Sequence, residues 1–355
     1  MSADMEGGKE TGIMRGPMVD DADAFFRSLR ERMPQKSRKV MDRLDLVGAV
    51  YVACGRDKVL GDVFEEFLED YSTTREGRRK EANVLFLTGP SGAGKSEAIG
   101  RVLRGHEALQ THQASFGPIS PYVSIKLSGY TLPRIAAHDI IVAAGHPMKS
   151  DAGRGDLWNE MPAALKRRLV FLVHIDETQH LIKGEGTKNE ITALANAIKG
   201  VSISSSWPVA FVLSGLPRIA ALAKIDEQFE RRAYWADFPD VQMPTERKLV
   251  VRILQKLSEA GGLNIGSMPD TDMPERMAHA ARFRYARICQ GVVAAIHAAL
   301  RADPNATELR RDHFALAYAN RSRARGHNHM NPFLVDDWAR LPEGSFLGQS
   351  EDDER

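Results

Sequence analysis

The spacing of apolar and polar positions divides the chain into three stretches. From position 20 to about 79 the apolar residues recur at helical spacing, as Phe25, Phe26 and Leu29 do. Between positions 83 and 237 short apolar runs alternate with segments of helical spacing, and after Pro239 only helical spacing remains. The alternating middle stretch is typical of an α/β domain with a mostly parallel sheet, and the last stretch predicts an all-helical region.

The middle stretch contains continuous apolar runs that suit strands buried on both faces. These predict strands over 84–88, 121–127, 169–175, 209–213 and 234–238. Helical spacing between them predicts helices over 95–103, 132–144 and 191–201, and one from about 226 to 232. Beyond the sheet, helices are predicted over 246–259, 274–283, 285–302 and 311–320. The basic segment 76–81 interrupts the pattern before the first strand, which predicts a solvated loop.

The first predicted strand leads directly into a glycine-rich segment and then into a helix. The segment reads Gly89-Pro90-Ser91-Gly92-Ala93-Gly94-Lys95-Ser96, which is the G-x-x-x-x-G-K-S pattern of a phosphate-binding loop in the context that such a loop requires. Its glycines allow backbone N–H groups to surround a phosphate, and the helix directs its positive end at it. Lys95 is expected to reach the β- and γ-phosphates and the Ser96 hydroxyl to bind Mg²⁺. The sequence therefore predicts a nucleoside triphosphate site.

Polar side chains also follow two later buried strands. Asp176 and Glu177 come after the run 169–175, where Asp176 is expected to hold Mg²⁺ and Glu177 to act as general base toward water. An aspartate that caps a helix N-terminus is the alternative at such a turn. Ser214, after the next strand, is the candidate for a contact with the attacking water, although a turn serine bonded to backbone fits equally. The adjacent acidic pair predicts hydrolysis in addition to binding.

Two pairs of arginines are further candidates. Arg231 and Arg232 end a predicted helix, where cations also complement the helix dipole. A second interpretation is an arginine finger directed at the γ-phosphate of a neighbouring subunit. Arg284 and Arg287 open the helix 285–302, and one of them is expected to reach back to the nucleotide and report its state.

The composition of the chain restricts its possible binding partners and its cellular compartment. The formal net charge is +1, so contact with nucleic acid requires local basic patches, for which 166–168, 310–311 and 321–325 are candidates. No apolar run approaches the ~20 residues that span a bilayer, and the N-terminus lacks a signal-peptide core. The two cysteines, Cys54 and Cys289, make neither a disulfide framework nor a zinc site. We therefore expect a cytoplasmic protein without membrane contact.

These features predict five segments along the chain. They are a disordered N-terminus (1–19), an N-terminal helical region (20–82), a nucleotide-binding α/β domain (83–240), a helical lid domain (241–340) and an acidic tail (341–355). No internal repeat is visible.

The order of these motifs resembles the AAA+ ATPases. Within them the chain resembles the TniB/TnsC group of transposition ATPases, which are related to the phage Mu B protein. HIDETQHL at 174–181 is close to the group's D-E-x-Q-H-L pattern, and DEQFERR at 226–232 matches D-x-Q-x-x-R-R. EGT at 185–187, WPV at 207–209 and NPF at 331–333 with Trp338 add to the similarity, which spans about 83–338.

The resemblance implies a P-loop AAA+ three-layer domain with a small helical lid, and ATP bound with Mg²⁺ between adjacent protomers. It also implies ATP-dependent homo-oligomers, helical or ring-shaped, on double-stranded DNA without sequence specificity, and contacts with a transposase and a target-selection protein. By the family pattern Arg232 is the finger, with Arg231 as runner-up, and Arg287 is the lid sensor. Leu216 stands where members often have threonine, which leaves sensing to Ser214 or weakens it.

The predicted function is an ATPase that regulates transposition from an oligomer on target DNA. A nucleotide-dependent signalling or defence scaffold is one alternative, and it predicts a receptor module, often with repeats. A replication initiator or helicase loader is another. That class commonly carries a helix-turn-helix module, for which the segment after Ala302 is short and irregular.

Overall fold

A computed structural model describes residues 22–115, 117–146, 156–184, 187–225, 227–321 and 326–344. The described ranges leave out the whole predicted N-terminal segment (1–19), the tail after 344, the positions 185–186 and 226, and the basic positions 322–325. The description below refers to the described ranges.

Five parallel strands form the central sheet. They are β1 (Val84–Thr88), β2 (Tyr122–Lys126), β3 (Leu172–Asp176), β4 (Ala210–Gly215) and β5 (Ala233–Asp237). Their order across the sheet is β2-β3-β4-β1-β5, and every neighbouring pair is parallel. The prediction of a mostly parallel sheet is confirmed. Because all strands run in one direction, their carboxyl ends meet at one edge, with β4 between β1 and β3.

Twelve α-helices surround the sheet or follow it in the described ranges. Before and between the strands are α1 (Ala22–Glu31), α2 (Gln35–Gly48), α3 (Gly55–Ser72), α4 (Lys95–Gly105), α5 (Pro133–Ala143), α6 (Leu157–Arg168), α7 (Lys188–Ser202) and α8 (Glu227–Glu230). After the sheet come α9 (Arg247–Ala260), α10 (Met273–Ala280), α11 (Tyr285–Ala302) and α12 (Arg311–Arg321). Two short antiparallel pairs, Thr74–Arg75 with Arg78–Arg79 and His112–Ala114 with Gly117–Ile119, lie outside the central sheet.

The three inner strands, β3, β4 and β1, are buried along their whole length and mostly apolar, because helices cover both faces of the sheet. Successive side chains of a strand point to opposite faces. Leu85, Leu87 and Val212 therefore share one core with α3 and α4. Phe86 and Leu213 belong to a second core with α5, α6 and α7. The parity of each strand residue thus decides which helices it contacts.

A third core lies among the helices that follow the sheet. Residues of α9 at helical spacing, such as Val250, Ile253 and Leu257, pack with α10, α11 and α12. Val40 and Val47 of α2 join this core, whereas α3 packs on the sheet. Helices α2 and α3 therefore contact different parts of the protein. In the described ranges, no helix is long and apolar enough to cross a membrane.

Two local predictions were wrong. The strand predicted from 169 begins at Leu172, because Leu169 has a positive φ of 55° and ends α6, a helix that the pattern did not reveal. The helix predicted over 226–232 is one turn, α8, and is preceded by a 3₁₀ stretch at Pro217–Ile225. Segment 76–81 is exposed at positions 76–77 and 79–81, as predicted, but part of it forms a short hairpin, in which Arg79 lies over the Trp207 ring at 4.4 Å.

The packing of α3 on the sheet generates a stability prediction. Phe64 is fully buried between α3 and the sheet core, whereas Val59 on the same helix is half exposed. We expect Phe64→Ala to lower the free energy of unfolding by about 3 to 5 kcal/mol through lost burial and a cavity. Val59→Ala, the matched control, is expected to change it by less than about 0.5 kcal/mol. Urea unfolding measures both, and equal effects would contradict the described position of α3.

Candidate nucleotide-binding site

The loop that follows β1 has a backbone that requires glycine at three positions. Gly89, Gly92 and Gly94 have φ angles of 154°, 81° and 95°. A Cβ on Gly89 would lie 2.5 Å from the Phe238 carbonyl oxygen. Side chains at these positions would therefore strain the backbone and crowd the neighbouring Phe238, Arg287 and Tyr285. The loop has the shape that the phosphate-binding pattern predicts.

Lys95, the first residue of α4, is buried inside this loop. Its Nζ donates to the carbonyl oxygens of Gly89 at 2.6 Å and Pro90 at 3.0 Å. Gly94 precedes the helix and provides no side-chain cap, and the helix directs the positive end of its dipole at the loop. Ser96, one residue further, is exposed at the start of α4. A buried ammonium and a helix N-terminus together favour a phosphate.

The strand order brings the acidic strand end near this loop. Asp176 ends β3, and its Oδ1 accepts from Ser214 Oγ at 2.7 Å and from the Glu177 N–H at 3.0 Å. Its Oδ2 lies 3.8 Å from Nζ of Lys126, a mostly exposed side chain. Ser214 is fully buried on β4, so it holds the carboxylate of Asp176.

Glu177 occupies a left-handed backbone conformation with φ of 57°. Such a conformation is uncommon outside glycine and is often found at functional sites. The Gln179 side chain donates from Nε2 to Glu177 Oε2 and accepts from the Leu216 N–H at 3.2 Å. Gln179 therefore ties the carboxylate of Glu177 to the end of β4, and it can hold or release that carboxylate.

His174 lies in the same part of β3 and is buried. Burial lowers its pKa to about 4, an effect that the nearby Asp176 carboxylate partly offsets. The ring is therefore neutral at pH 7, and it contacts Ser214 Oγ through Nε2 at 2.9 Å.

The first turn of α11 lies on the phosphate loop. The Ala286 N–H donates to the Gly92 carbonyl at 2.9 Å, and a Cβ on Gly92 would lie 3.1 Å from Arg287 Cγ. A Cβ on Gly94 would likewise lie 3.0 Å from Cδ1 of the Tyr285 ring. Arg284 instead pairs with Asp240 at 2.9 Å. Of the two predicted sensor candidates, the structure places Arg287 against the loop.

Arg231 and Arg232 lie at the opposite edge of the sheet. The Arg232 carbonyl accepts from the N–H of Val84, the first residue of β1, while the phosphate loop follows the last residue of that strand. A strand of five residues separates the two edges by about 13 Å. Arg232 pairs with Glu81 and its side chain is 20% exposed, whereas the Arg231 side chain is 73% exposed and pairs with Glu227. Neither arginine lies beside the loop of its own chain.

The basic clusters have partners within the chain. Arg168, at the end of α6, donates to the Gly145 carbonyl, and Arg311 donates to the Phe333 carbonyl at 2.6 Å. Arg310 and Arg321 are exposed, as are Lys166 and Arg167. The exposed members stay candidates for contact with phosphates of DNA.

The sequence interpretation missed three side chains of this site. Gln179 is part of the D-E-x-Q-H-L string, yet its spacing from Glu177 was given no role. His174 and Ser124 are polar positions inside apolar strands at the same parity, which is a signal of contact across a sheet.

The donor set suits Mg²⁺. Ser96 and Asp176 offer hydroxyl and carboxylate oxygens, which this hard cation prefers, and Mg²⁺ commonly completes its shell with water and substrate phosphates. In the described ranges, no group of three or more histidine, cysteine, aspartate or glutamate residues could hold a metal without such help. The residues present therefore fit an ion that arrives with a nucleotide.

Comparisons with known proteins bear on the fold. A family described as AAA domain matches residues 78–222. The ADP form of the ORC2 protein from Aeropyrum pernix is similar in structure, with 13% identity over 76% of this chain and 69% of that chain and a TM-score of 0.51. Cdc6p from Pyrobaculum aerophilum is also similar in structure, with 11% identity over 77% of this chain and 69% of that chain and a TM-score of 0.52. No curated protein matches the sequence.

The chain therefore contains an AAA domain and has the AAA+ P-loop fold, with helical regions before and after the sheet. At these identities the structural similarity shows the fold alone. The interpretation as a transposition ATPase of the TniB/TnsC group stays a prediction.

The close approach at Gly89 generates a prediction. We expect Gly89→Ala to lower the free energy of unfolding by about 2 to 3 kcal/mol, because of the positive φ and the contact with the Phe238 carbonyl. Gly61→Ala on α3, where a Cβ meets nothing within 4 Å, is the control and is expected to raise it by about 0.5 to 1 kcal/mol. Denaturant titration of both variants measures the difference. A Gly89→Ala protein as stable as the parent would refute the described loop.

Proposed function

We propose that the protein is an Mg²⁺-dependent ATPase that assembles on double-stranded DNA and regulates transposition. The observation that carries the ATPase is that Lys95, buried in the loop after β1, and the acidic pair Asp176 and Glu177 after β3 lie at the same carboxyl edge of the sheet. Arg287 of the proposed lid lies against the same loop. Adenine is supported by the nucleotides in the similar ORC2 structures, which are ADP and ADPNP.

Each residue has a distinct role in the hydrolysis of ATP to ADP and phosphate. Lys95 exchanges its carbonyl acceptors for phosphate oxygens, which balance its buried charge. Glu177 accepts a proton from water as that water attacks the γ-phosphorus. Gln179 controls the direction of the Glu177 carboxylate, and Ser214 that of Asp176. Ser96 and Asp176 would hold Mg²⁺, which neutralises negative charge on the phosphates when it is bound.

A homo-oligomer is supported by the position of the arginines. Because Arg231 lies at the far edge of the sheet from its own phosphate loop, a role at the γ-phosphate requires a second copy. The larger exposure of Arg231 favours it as the finger, although the family resemblance places Arg232 first. In such an assembly, exposed cations such as Lys166 and Arg310 repeat along a duplex and add their phosphate contacts.

The proposed role in transposition rests on the sequence similarity at 174–181 and 226–232. The proposed contacts with a transposase and a target-selection protein rest on the same similarity. A replication initiator is the second candidate function, and the likeness in fold to ORC2 and Cdc6p is the observation that favours it. An integrase-type transposase gene beside the gene for this protein would favour the first role, and an origin-like sequence would favour the second.

The first experiment is the ATPase rate of the purified protein with and without random-sequence duplex DNA, at two salt concentrations. We expect stimulation by DNA that declines as salt rises, because contacts with phosphates release counterions. Glu177→Gln is expected to lower the rate at least about 100-fold while ATP still binds, since it removes the base and keeps the size.

Lys95→Ala is the blank for contaminating activity. Glu177→Gln protein that hydrolyses ATP at the parent rate would contradict the assigned base. A rate that DNA does not change, together with no duplex binding in ATP, would leave the ATPase and remove the role on DNA.

The finger generates a separate prediction. We expect Arg231→Ala to lower the ATPase rate by about 1000-fold without loss of folding, because an exposed cation that contacts a neighbour's γ-phosphate is removed. Mixing Arg231→Ala protein with Glu177→Gln protein is expected to restore part of the activity, since mixed interfaces pair an intact base with an intact finger. Arg232→Ala is the matched comparison and breaks the pair with Glu81. Restoration with Arg232→Ala and not with Arg231→Ala would assign the finger to Arg232.

A further inference from the structure

A row of hydrogen-bonded polar side chains crosses three strands of an otherwise apolar sheet. It begins at Ser124 on β2, whose Oγ lies 2.8 Å from His174 Nδ1 on β3. His174 Nε2 lies 2.9 Å from Ser214 Oγ on β4, and Ser214 Oγ lies 2.7 Å from Asp176 Oδ1. Ser124 and His174 are register partners, and the four side chains share the face of the sheet that packs on α4.

The direction of these hydrogen bonds follows from proton counting. A serine hydroxyl has one proton, and the strongest acceptor near Ser214 is the Asp176 carboxylate. His174 must therefore donate its Nε2–H to Ser214 Oγ, because that oxygen no longer has a proton to give in return. The neutral ring then has a bare Nδ1, which accepts from the Ser124 hydroxyl. Every donor in the row points toward Asp176, and bonds aligned in this way strengthen one another.

The Ser214 hydroxyl has a second acceptor, the Ile175 carbonyl at 3.5 Å. The charged carboxylate at 2.7 Å is the preferred acceptor of the two. Donation from the His174 Nε2–H polarises the Ser214 hydroxyl and so strengthens its bond to Asp176, and it removes Nε2 as a competing acceptor for the hydroxyl proton. Asp176 Oδ1 then accepts from both Ser214 and the Glu177 N–H. Oδ2 is the carboxylate oxygen left to face a cation, and exposed Lys126 is 3.8 Å away.

We propose that His174 is a positioning residue for the metal carboxylate: it fixes the Ser214 hydroxyl as a donor to Asp176 Oδ1 and so reserves Oδ2 for Mg²⁺. This inference rests on the proposed ATPase function and adds a residue that touches neither nucleotide nor metal. A packed core histidine would predict a loss of stability on substitution and no change in the response to Mg²⁺.

The test is the affinity of the full chain for a non-hydrolysable ATP analogue, measured by calorimetry in Mg²⁺ and in EDTA. The dissociation constant in EDTA divided by that in Mg²⁺ reports how much the metal strengthens binding of the analogue. This ratio does not depend on turnover. We expect His174→Leu, which keeps the bulk and removes the donor, to lower this ratio about fivefold, as the loss of one buried hydrogen bond implies. His174→Gln, whose amide can donate from a similar position, is expected to restore most of it.

Two further variants separate positioning from packing. The double variant His174→Leu, Ser214→Ala is expected to lower the ratio no further than Ser214→Ala alone, because His174 acts through Ser214. His279→Leu is the matched control: His279 is also buried, but bonds the Leu341 carbonyl in the lid. It is expected to leave the ratio unchanged. If His174→Leu does not fold, Ser124→Ala, at the start of the row, is expected to lower the ratio about twofold.

The outcomes are distinguishable. An analogue that binds with an unchanged ratio in the folded His174 and Ser124 variants overturns this inference and leaves the ATPase intact. Effects of His174→Leu and Ser214→Ala that multiply in the double variant also overturn it. No binding of the analogue in either condition overturns the proposed function and this inference together. Nitrogen NMR of the histidine-labelled parent checks the hydrogen-bond direction without nucleotide, and a ring protonated on Nδ1 would refute it.

Discussion

The contact between the first turn of α11 and the phosphate loop is the constraint on which the site depends. The Ala286 N–H bonds the Gly92 carbonyl, Tyr285 packs on Gly94, and Arg287 covers Gly92. The lid core and the sheet cores meet at this point. The glycines therefore serve two purposes, since they allow the left-handed backbone and also the approach of a helix. Under the proposed function, a displacement of α11 would therefore change the surroundings of the bound phosphates.

The second constraint is the order of the strands. Because β4 lies between β1 and β3, a side chain at its end can contact the acidic strand while remaining close to the loop. Ser214 uses this position on β4 to hold Asp176, while Gln179, which follows β3, bonds to the end of β4 and holds Glu177. The two carboxylates thus have separate supports, which allows one to serve a metal and the other a water molecule. Adjacent positions in sequence have acquired different environments through different partners across the sheet.

The same parallel arrangement separates the arginines from the loop. Residues before a strand and residues after it lie at opposite edges, so Arg231 and Arg232 are remote from the loop that follows β1. A finger built on either residue needs a neighbouring protomer, and hydrolysis would then report assembly. The topology of the sheet thus supports the proposed oligomer in addition to the family resemblance.

The sequence by itself determined the phosphate loop, the five strands to within a few residues, the helix 285–302 and the α/β class, because each is encoded by a short contiguous pattern. It determined the acidic pair and Ser214 as strand-end residues for the same reason. It did not reveal α6, whose end at Leu169 adopts a positive φ that apolar character does not announce. Nor did it reveal the Arg232–Glu81 pair or the division of α2 and α3 between different cores. Only the tertiary structure decided the row from Ser124 to Asp176 and the support of Glu177 by Gln179. These contacts depend on strand order and register, which bring together positions as many as 50 residues apart in the chain, and no local pattern contains that information.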